Sequence, residues 1–580
     1  MRLSDWLESR TGYRKILDDI LLEPVRGGAR WAYVFGSVLT FLLLLQAATG
    51  VLLAAFYAPS STTAWASVVF IQEKVTLGWF IRGLHSTGAS AMIVVVGAHM
   101  AQVLLYGAYR APRELNWLVG VLMLGLVLAF ALTGYLLPWD QKGYWATQVA
   151  TSIMGTTPVI GHELQELVQG GPAYGNYTLT HFFALHTYIL PATIFVLLGA
   201  HLYLFRKHGV TPRWNVSEAE LVKRTEAFWP YQLFRDLFAC AVVFLIMVVL
   251  VVRSHGADLE APADPASSYV ARPEWYFLPL FQMLKYFEGP AEIVGTIIIP
   301  TLVGLTLLTL PFWDRARSRA PGRRLLPLAM AGTGFVVVVG LGLLAVRQDR
   351  ADPTFQKQRA IAAAEAERAR RLAIEGGVPP EGGLGLWKND PLYAARALWD
   401  EKCAGCHSLS GAGGEKGPDL YDYNSRAWIL VFLRDPDGPL RMGPAKLEKG
   451  MKPVQASEDE LRALAEFVYS QSGTPDADRS LVARGQALFA EKNCDECHET
   501  DGQTPGQGPN LSGRGTLEYV KSVIADAGAP MRYGKRSKMP RFAGKLSDAE
   551  LTALARLVRG GGRQSAASST ENADHSSPAK

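Results

Sequence analysis

The chain has 580 residues, 49% of them hydrophobic, and a formal net charge of +5. That length implies several domains, and so small a charge gives no reason to expect a nucleic-acid partner. The average hides a division: sequence before about Gln348 is dominated by long apolar runs, and sequence after it is polar and charged.

Residues 1–30 are amphipathic and charged, with Arg2, Arg10, Arg14, Lys15, Arg26 and Arg30, and they lack a signal-peptide core. They are expected to stay in the cytoplasm. Apolar runs at about 32–57, 83–105, 115–137, 180–205, 236–253, 291–311 and 325–346 are long enough to span a bilayer, the fifth by borrowing flanking residues. Seven spans put the two ends on opposite sides. Connections on the N-terminal side carry Arg110 and Arg113, then Arg206, Lys207, Arg213, Lys223, Arg224 and Arg235, then Arg315, Arg317, Arg319, Arg323 and Arg324. The opposite connections are poor in Lys and Arg, so the expected topology has a cytoplasmic N-terminus and an outer, periplasmic C-terminal region.

The second and fourth runs each carry two histidines. His85 and His99 are fourteen positions apart, nearly four whole turns, so both leave one helix face with roughly 21 Å of rise between them. His186 and His201 are fifteen apart, about 60° out of phase. Two such helices facing each other predict two bis-histidine sites, His85 with His186 near the outer surface and His99 with His201 near the inner one. Neutral imidazole is a common axial ligand to haem iron, and polar groups inside a membrane are costly enough to need such a use. Gly36 and Gly50 in the first run, and Gly120 and Gly134 in the third, repeat the fourteen-residue interval. Small residues also serve plain helix packing, but the shared interval favours clearance for flat macrocycles at two heights.

Two outer connections carry aromatic, proline-ordered loops: Leu137-Pro138-Trp139-Asp140-Gln141-Lys142-Gly143-Tyr144-Trp145, and Pro273-Glu274-Trp275-Tyr276. A carboxylate in such a loop can accept a proton from a hydroxyl group at the membrane edge.

These motifs, with Asp5-Trp6-Leu7-Glu8, Asp18-Asp19-Ile20, Pro138-Trp139-Asp140-Gln141 and Leu185-His186-Thr187 in order, resemble the cytochrome b/b6 family of quinol-oxidising cytochrome bc complexes. Seven spans and the Arg206-Lys207 end of the fourth resemble the shorter b6 type with its companion subunit fused on. The resemblance implies an outer quinol-oxidation site with Glu274 as proton acceptor, Pro273, Trp275 and Tyr276 around it and Tyr135 nearby. It also implies an inner quinone-reduction site where Asp19 and Arg206 occupy matching positions. Arg82, three residues before His85, is placed to pair with a haem propionate. The b6 pattern has a cysteine that holds an additional haem near the start of the first span; Val34 stands there, so no such covalent haem is expected.

Beyond an Ala/Glu/Arg-rich and then Gly/Pro-rich stretch, read as a semi-rigid spacer, come Cys403-Ala404-Gly405-Cys406-His407 and Cys494-Asp495-Glu496-Cys497-His498. CxxCH allows two thioether bonds to one haem edge while the adjacent His reaches the iron. Gly417-Pro418-Asp419-Leu420 recurs as Gly508-Pro509-Asn510-Leu511, at the ninety-one-residue offset that separates Cys403 from Cys494. Each repeat resembles a small cytochrome c domain, whose second iron ligand is usually a methionine before the last helix. Met539 fits in the second repeat and Met451 in the first, with Met442 competing. The semi-rigid spacer suggests limited reach for the first repeat and greater exposure for the second, so electrons are expected to enter at the haem on His407 and leave from the haem on His498, with Met539 completing the exit site. Cys240 receives no role.

The expected fold is all-α, a seven-span transmembrane bundle followed by two small cytochrome c-like helical domains. Its parts are an N-terminal segment (1–30), a four-helix dihaem domain (31–215), a three-helix domain with the quinol-site loop (216–347), a linker (348–387), two c domains (388–474 and 475–560) and a disordered tail (561–580). The expected function is a quinol:cytochrome c oxidoreductase subunit with two non-covalent b haems and two covalent c haems, coupled to proton translocation through a Q cycle. Expected partners are a separate Rieske iron-sulfur protein, the quinone pool, membrane lipid and an external acceptor such as a soluble cytochrome c or terminal oxidase, in a dimeric complex. A dehydrogenase membrane anchor, or an electron-wire and docking protein without bifurcation, is the alternative.

Overall fold

The computed structural model describes residues 2–267, 269–409, 415–442 and 450–560. The expected tail at 561–580 lies outside them. The chain divides between Leu384 and Gly385 into two compact units.

Among the described residues of the first unit, seven helices are long and apolar enough to cross a membrane: α1 (Trp31–Ala54), α2 (Gly78–Tyr106), α3 (Glu114–Leu136), α4 (Asn176–His208), α5 (Phe228–Ser254), α6 (Gly289–Trp313) and α7 (Leu325–Ala351). Each exceeds the roughly 20 residues a span requires. The helix α2 packs on α1 and α5, and α3 packs on α4 and α6. Leu42, Leu84, Met92, Met247 and Val251 fill the α1–α2–α5 contact. Phe335, Val336 and Leu343 of α7 remain exposed, as lipid-facing positions do, because hydrocarbon offers no hydrophobic drive to bury them further. The regular structure of the described residues is helical apart from one two-residue antiparallel pairing, Pro24–Val25 with Glu226–Ala227, and three isolated bridges.

Three of these helices contain a π segment, and the one in α4 bears on the histidines. Residues Leu185–Ile189 of α4 form a π-turn, with the Leu190 N–H bonded to the Leu185 carbonyl, immediately before Pro191. Proline has no N–H to donate to the α ladder, and a π-turn takes up one residue more than an α-turn. The fifteen positions from His186 to His201 therefore behave like the fourteen from His85 to His99, and the expected 60° offset is absorbed.

The expected spacer is also different. Asp352 caps α8 (Pro353–Gly376) through hydrogen bonds from the Thr354 and Phe355 N–H groups, so α7 and α8 are separate helices. The helix α8 lies against the Ala64–Glu73 helix, with Arg370 within 3.7 Å of Glu73. Gly382 and Gly383 then approach Thr62, Pro262 and Trp65 so closely that no side chain would fit. This stretch is therefore part of the first unit as far as residue 384.

In the second unit the helices are α9 (Pro391–Lys402), α10 (Arg426–Arg434), α11 (Glu458–Ser470), α12 (Arg479–Glu491), α13 (Leu517–Ala525) and α14 (Asp548–Gly560). Neither sequence repeat closes on itself. The α9 helix packs against α14, and α12 packs against α11. One core joins Trp428, Leu461, Leu464 and Phe467 to Leu488 and Phe489. The other joins Ala395, Trp399 and Cys403 to Val520, Ile524, Leu554 and Val558. The boundaries expected at 388–474 and 475–560 follow the sequence repeat but not the packing, because the helix that buries each N-terminal apolar stripe comes from the other repeat.

Candidate redox site

The four intramembrane histidines lie in two groups, one at each level of the bundle. The rings of His85 and His186 lie with centroids 6.3 Å apart, and His99 and His201 line one cavity of about 390 Å³. Each histidine faces one of the four glycines. A Cβ at Gly50 would stand 3.3 Å from the His85 ring, at Gly134 2.5 Å from His186, at Gly120 3.4 Å from His201 and at Gly36 4.0 Å from His99. Backbone without side chains thus borders the imidazoles at both heights.

Hydrogen bonds set the imidazole tautomers. Thr49 Oγ1 donates to the Leu45 carbonyl at 2.7 Å, so toward His85 Nδ1, 2.9 Å away, it accepts. Thr133 Oγ1 donates to the Ala129 carbonyl and lies 3.1 Å from His186 Nδ1 in the same way. His201 Nδ1 faces the Asn116 carbonyl at 3.2 Å, which can only accept. In these three residues the proton sits on Nδ1 and the Nε2 lone pair is free for a metal. Thr49 and Thr133 escaped the sequence reading, although each directly precedes one of the paired glycines, Gly50 and Gly134.

Asp140 draws the outer loops together. It accepts from the Gly143 N–H at 2.8 Å and the Glu260 N–H at 3.1 Å, and the Gln141 N–H bonds to the Ala261 carbonyl. Burial pushes the Asp140 carboxyl above the usual carboxylate range, although both N–H groups oppose the shift. This fixes the neighbouring Lys142, whose Nζ lies 2.8 Å from Glu274 Oε1 and 5.6 Å from the Tyr135 ring centroid. Burial lowers the Lys142 pKa, but Glu274, helped by Asp140 and Asp258, outweighs it and the net shift is upward. The Tyr135 hydroxyl is buried without a hydrogen-bond partner among the described residues. Trp275 reaches Ser90 at 3.4 Å, and Tyr276 stacks edge-on with Trp275. Lys142 was a missed member of this group, hidden because a loop lysine reads as solvated. Arg82 bonds to the Ala257 and Asp258 carbonyls at 2.7 and 2.6 Å and to Gln72, so it clamps the connection after α5.

At the other level, Arg206 pairs with Glu23 at 2.8 Å, and both line the cavity of His99 and His201. Asp236 accepts from Ser37 at 2.9 Å and Gln232 at 2.8 Å on the same wall. Asp19 is exposed on the Tyr13–Leu21 helix and does not line the cavity. Glu23 and Asp236 are the carboxylates the sequence reading missed.

In the second unit His407 Nδ1 lies 3.0 Å from the Pro418 carbonyl, and His498 Nδ1 lies 2.9 Å from the Pro509 carbonyl. Both must donate, which leaves Nε2 free. A Cβ at Gly417 or Gly508 would come 2.5 Å from its histidine, so the Gly-Pro repeat exists to let this carbonyl reach the ring. Burial holds both imidazoles below the usual histidine pKa and therefore neutral. Met539 lies in the core that holds Cys403, and Met451 in the core that holds Cys494. The expected pairing within each repeat is not what the structure brings together.

Neutral imidazoles with free Nε2 atoms, glycine clearance inside a helical bundle and two CxxCH loops fit haem at both kinds of site. Fold and site define a multi-pass membrane electron-transfer protein of the b- and c-haem type. Comparison with known proteins agrees. The profile of the family "Cytochrome b/b6/petB" matches residues 23–209 and that of "Cytochrome b(C-terminal)/b6/petD" matches residues 262–364. "Cytochrome c" matches residues 393–472, and "Cytochrome C oxidase, cbb3-type, subunit III" matches residues 480–558. Cytochrome b of Cereibacter sphaeroides is 38% identical over 50% of this chain and 68% of its own length. Cytochrome b6 of Synechococcus elongatus is 39% identical over 36% of this chain and 98% of its own. A solved "Hyperthermophilic respiratory Complex III" chain aligns with a TM-score of 0.53 at 27% identity, covering 64% of this chain and 97% of that one. The chain belongs to the cytochrome b/b6 family, and it is a bc-type electron-transfer subunit with cytochrome c domains at its C-terminus.

Proposed function

We propose that this chain is the quinol-oxidising subunit of a bc complex, holding two b haems between α2 and α4 and two c haems at its CxxCH loops. The observation that carries this reading is the matched set of four histidines, each opposed by a glycine, at two heights of the bundle. Quinol is oxidised at the outer level, where Glu274 takes a hydroxyl proton and Lys142 holds the carboxylate until it does. Tyr135 closes the same pocket, and Pro273, Trp275 and Tyr276 order the loop that bears Glu274. At the inner level Arg206, Glu23 and Asp236 supply charge and proton-carrying groups to a quinone that is reduced. Haem, when bound, supplies one-electron relay between the two levels and onward from the c domains. Quinol releases two electrons, so the second leaves outward through a separate Rieske protein in a dimeric complex. The N-terminus is cytoplasmic and the c domains are periplasmic, by the distribution of basic residues.

A non-bifurcating anchor needs one quinone site, and the separate inner cavity with its own carboxylates argues against it. The test is a pyridine haemochrome assay of the purified complex, with b and c haem expected in equal amounts, two of each, and a Rieske subunit in the same preparation. A b:c ratio near one to two would remove one histidine pair, and quinol:cytochrome c turnover in a preparation without a Rieske subunit would refute bifurcation.

A further inference from the structure

The two c-type repeats exchange their C-terminal halves, and this decides which methionine meets which histidine. The N-terminal half of the first repeat, α9 with Cys403 and His407, is completed by α13, Met539 and α14. The N-terminal half of the second, α12 with Cys494 and His498, is completed by α10, Met451 and α11. The α11–α12 crossing is a close one: a Cβ at Gly485 would stand 2.1 Å from the Ala463 carbonyl and 2.7 Å from Phe467 Cβ. That is the intimacy of helices within one core.

The chain crosses over at two matched points. Leu420 stays with the Cys403 core and Leu511 with the Cys494 core, whereas α10 and α13 go to the opposite ones. Between them, Asp422 and Asn424 in the first repeat and Gly513 and Gly515 in the second all have positive φ, from 54° to 84°, and these positions correspond at the ninety-one-residue offset. Left-handed backbone at the same two places turns each strand of the exchange. The crossovers touch, since a Cβ at Gly515 would come 2.0 Å from Asn424 Nδ2.

The same correspondence separates Met451 from Met442. The Val454 N–H bonds to the Leu433 carbonyl, and the Phe542 N–H to the Ala525 carbonyl. Met451 and Met539 each stand three residues before these anchors. The Met442 N–H bonds to the Pro436 carbonyl as the Tyr533 N–H does to the Ala527 carbonyl, so the counterpart of Met442 is Tyr533.

We infer that the haem iron on His407 takes Met539 as its second ligand and the iron on His498 takes Met451, so that neither repeat forms a complete haem site without the other. The inference rests on the c-haem reading of the CxxCH motifs. It reverses the role expected for Met539, which now completes the site on His407. It also makes the dihaem unit a single cooperative body, since the loss of α14 strips the haem motif at Cys403, far away in sequence.

Covalent haem content of the full-length chain is measured first: absence of c haem refutes the haem reading itself, and two c haems leave the pairing to be decided. In a Cys403→Ser/Cys406→Ser chain one c haem remains, on Cys494, Cys497 and His498. Met451→His in that chain should abolish the thioether-to-iron charge-transfer band of the ferric protein and lower the haem potential, while Met539→His should leave both unchanged. Sensitivity to Met539 with silence at Met451 overturns the pairing. A second measurement keeps both haems. A protease site is placed in the Gly473–Asp478 connection of the intact chain and cut under native conditions. Exchanged halves should stay together in detergent with both thioether bands intact, and release of a haem-bearing C-terminal fragment overturns the exchange.

Discussion

Lys142 Nζ stands 2.8 Å from Glu274 Oε1, joining the loop after α3 to the Pro273-Glu274-Trp275-Tyr276 loop. The contact ties two segments that the sequence keeps 132 residues apart, at the level of the His85–His186 pair, and it gives the carboxylate a fixed position.

Glu274→Gln removes a proton acceptor but no iron ligand. Quinol oxidation should slow by at least about 10²-fold while the b-haem absorbance of the complex stays unchanged. Lys142→Met should slow turnover less and Lys142→Arg least, since the charge is retained. Steady-state reduction of cytochrome c by quinol, across a pH series, is the measurement. Parental rates for Glu274→Gln at every pH would sink the assignment.

Gly134→Val places carbon where His186 now stands, 2.5 Å from its ring. One b haem should be lost, with the cavity lined by His99 and His201 left intact. Redox titration of the b absorbance should then show one component where the parent shows two. Retention of both would mean that the glycine serves helix packing alone.

Thr49→Val and Thr133→Val remove the oxygen atoms that face His85 Nδ1 and His186 Nδ1. Losing a hydrogen bond that orients a ligand typically costs about 10–100-fold in affinity for the bound metal group. Haem retention on detergent washing should fall in each variant and more in the double variant. Haem retention equal to that of the parent would show that the tautomer is set by other means.

Arg324 and Asp314 form an ion pair at 2.9 Å with side chains 0% and 3% exposed, and Tyr109 bonds to both. Burial would raise the Asp314 pKa, but the bonds from Tyr109 and Arg324 overcome it and hold the carboxyl below the ordinary value of 3.8. A depressed folded pKa contributes stability above that value and loses it as pH falls through the folded pKa. Arg324→Met leaves a buried carboxylate unpaired and should cost about 3–5 kcal/mol at neutral pH. Below about pH 4 the deficit should shrink as the carboxyl takes up a proton. Thermal unfolding of parent and variant at pH 7 and in acid checks the sign, and a deficit that grows in acid would contradict it.

Periodicity located all seven spans because an apolar run of sufficient length has few other solutions in a bilayer. The interval shared by His85–His99, Gly36–Gly50 and Gly120–Gly134 was readable for a similar reason, since helical geometry turns sequence separation into height and direction. The two CxxCH loops needed no fold at all, because their chemistry is contiguous. Tertiary structure was needed wherever a partner is remote in sequence. It showed that a π-turn before Pro191 restores the phase of His186 and His201, that Lys142 pairs with Glu274, and that Glu23 and Asp236 rather than Asp19 line the inner cavity. It also decided that α9 packs on α14 and α12 on α11. A repeat carries the same apolar stripe in both copies, so each N-terminal helix could be buried by either C-terminal helix. The choice between them lies in the crossover backbone at Asp422, Asn424, Gly513 and Gly515, where the local sequence permits a left-handed turn but does not say which core the chain will enter.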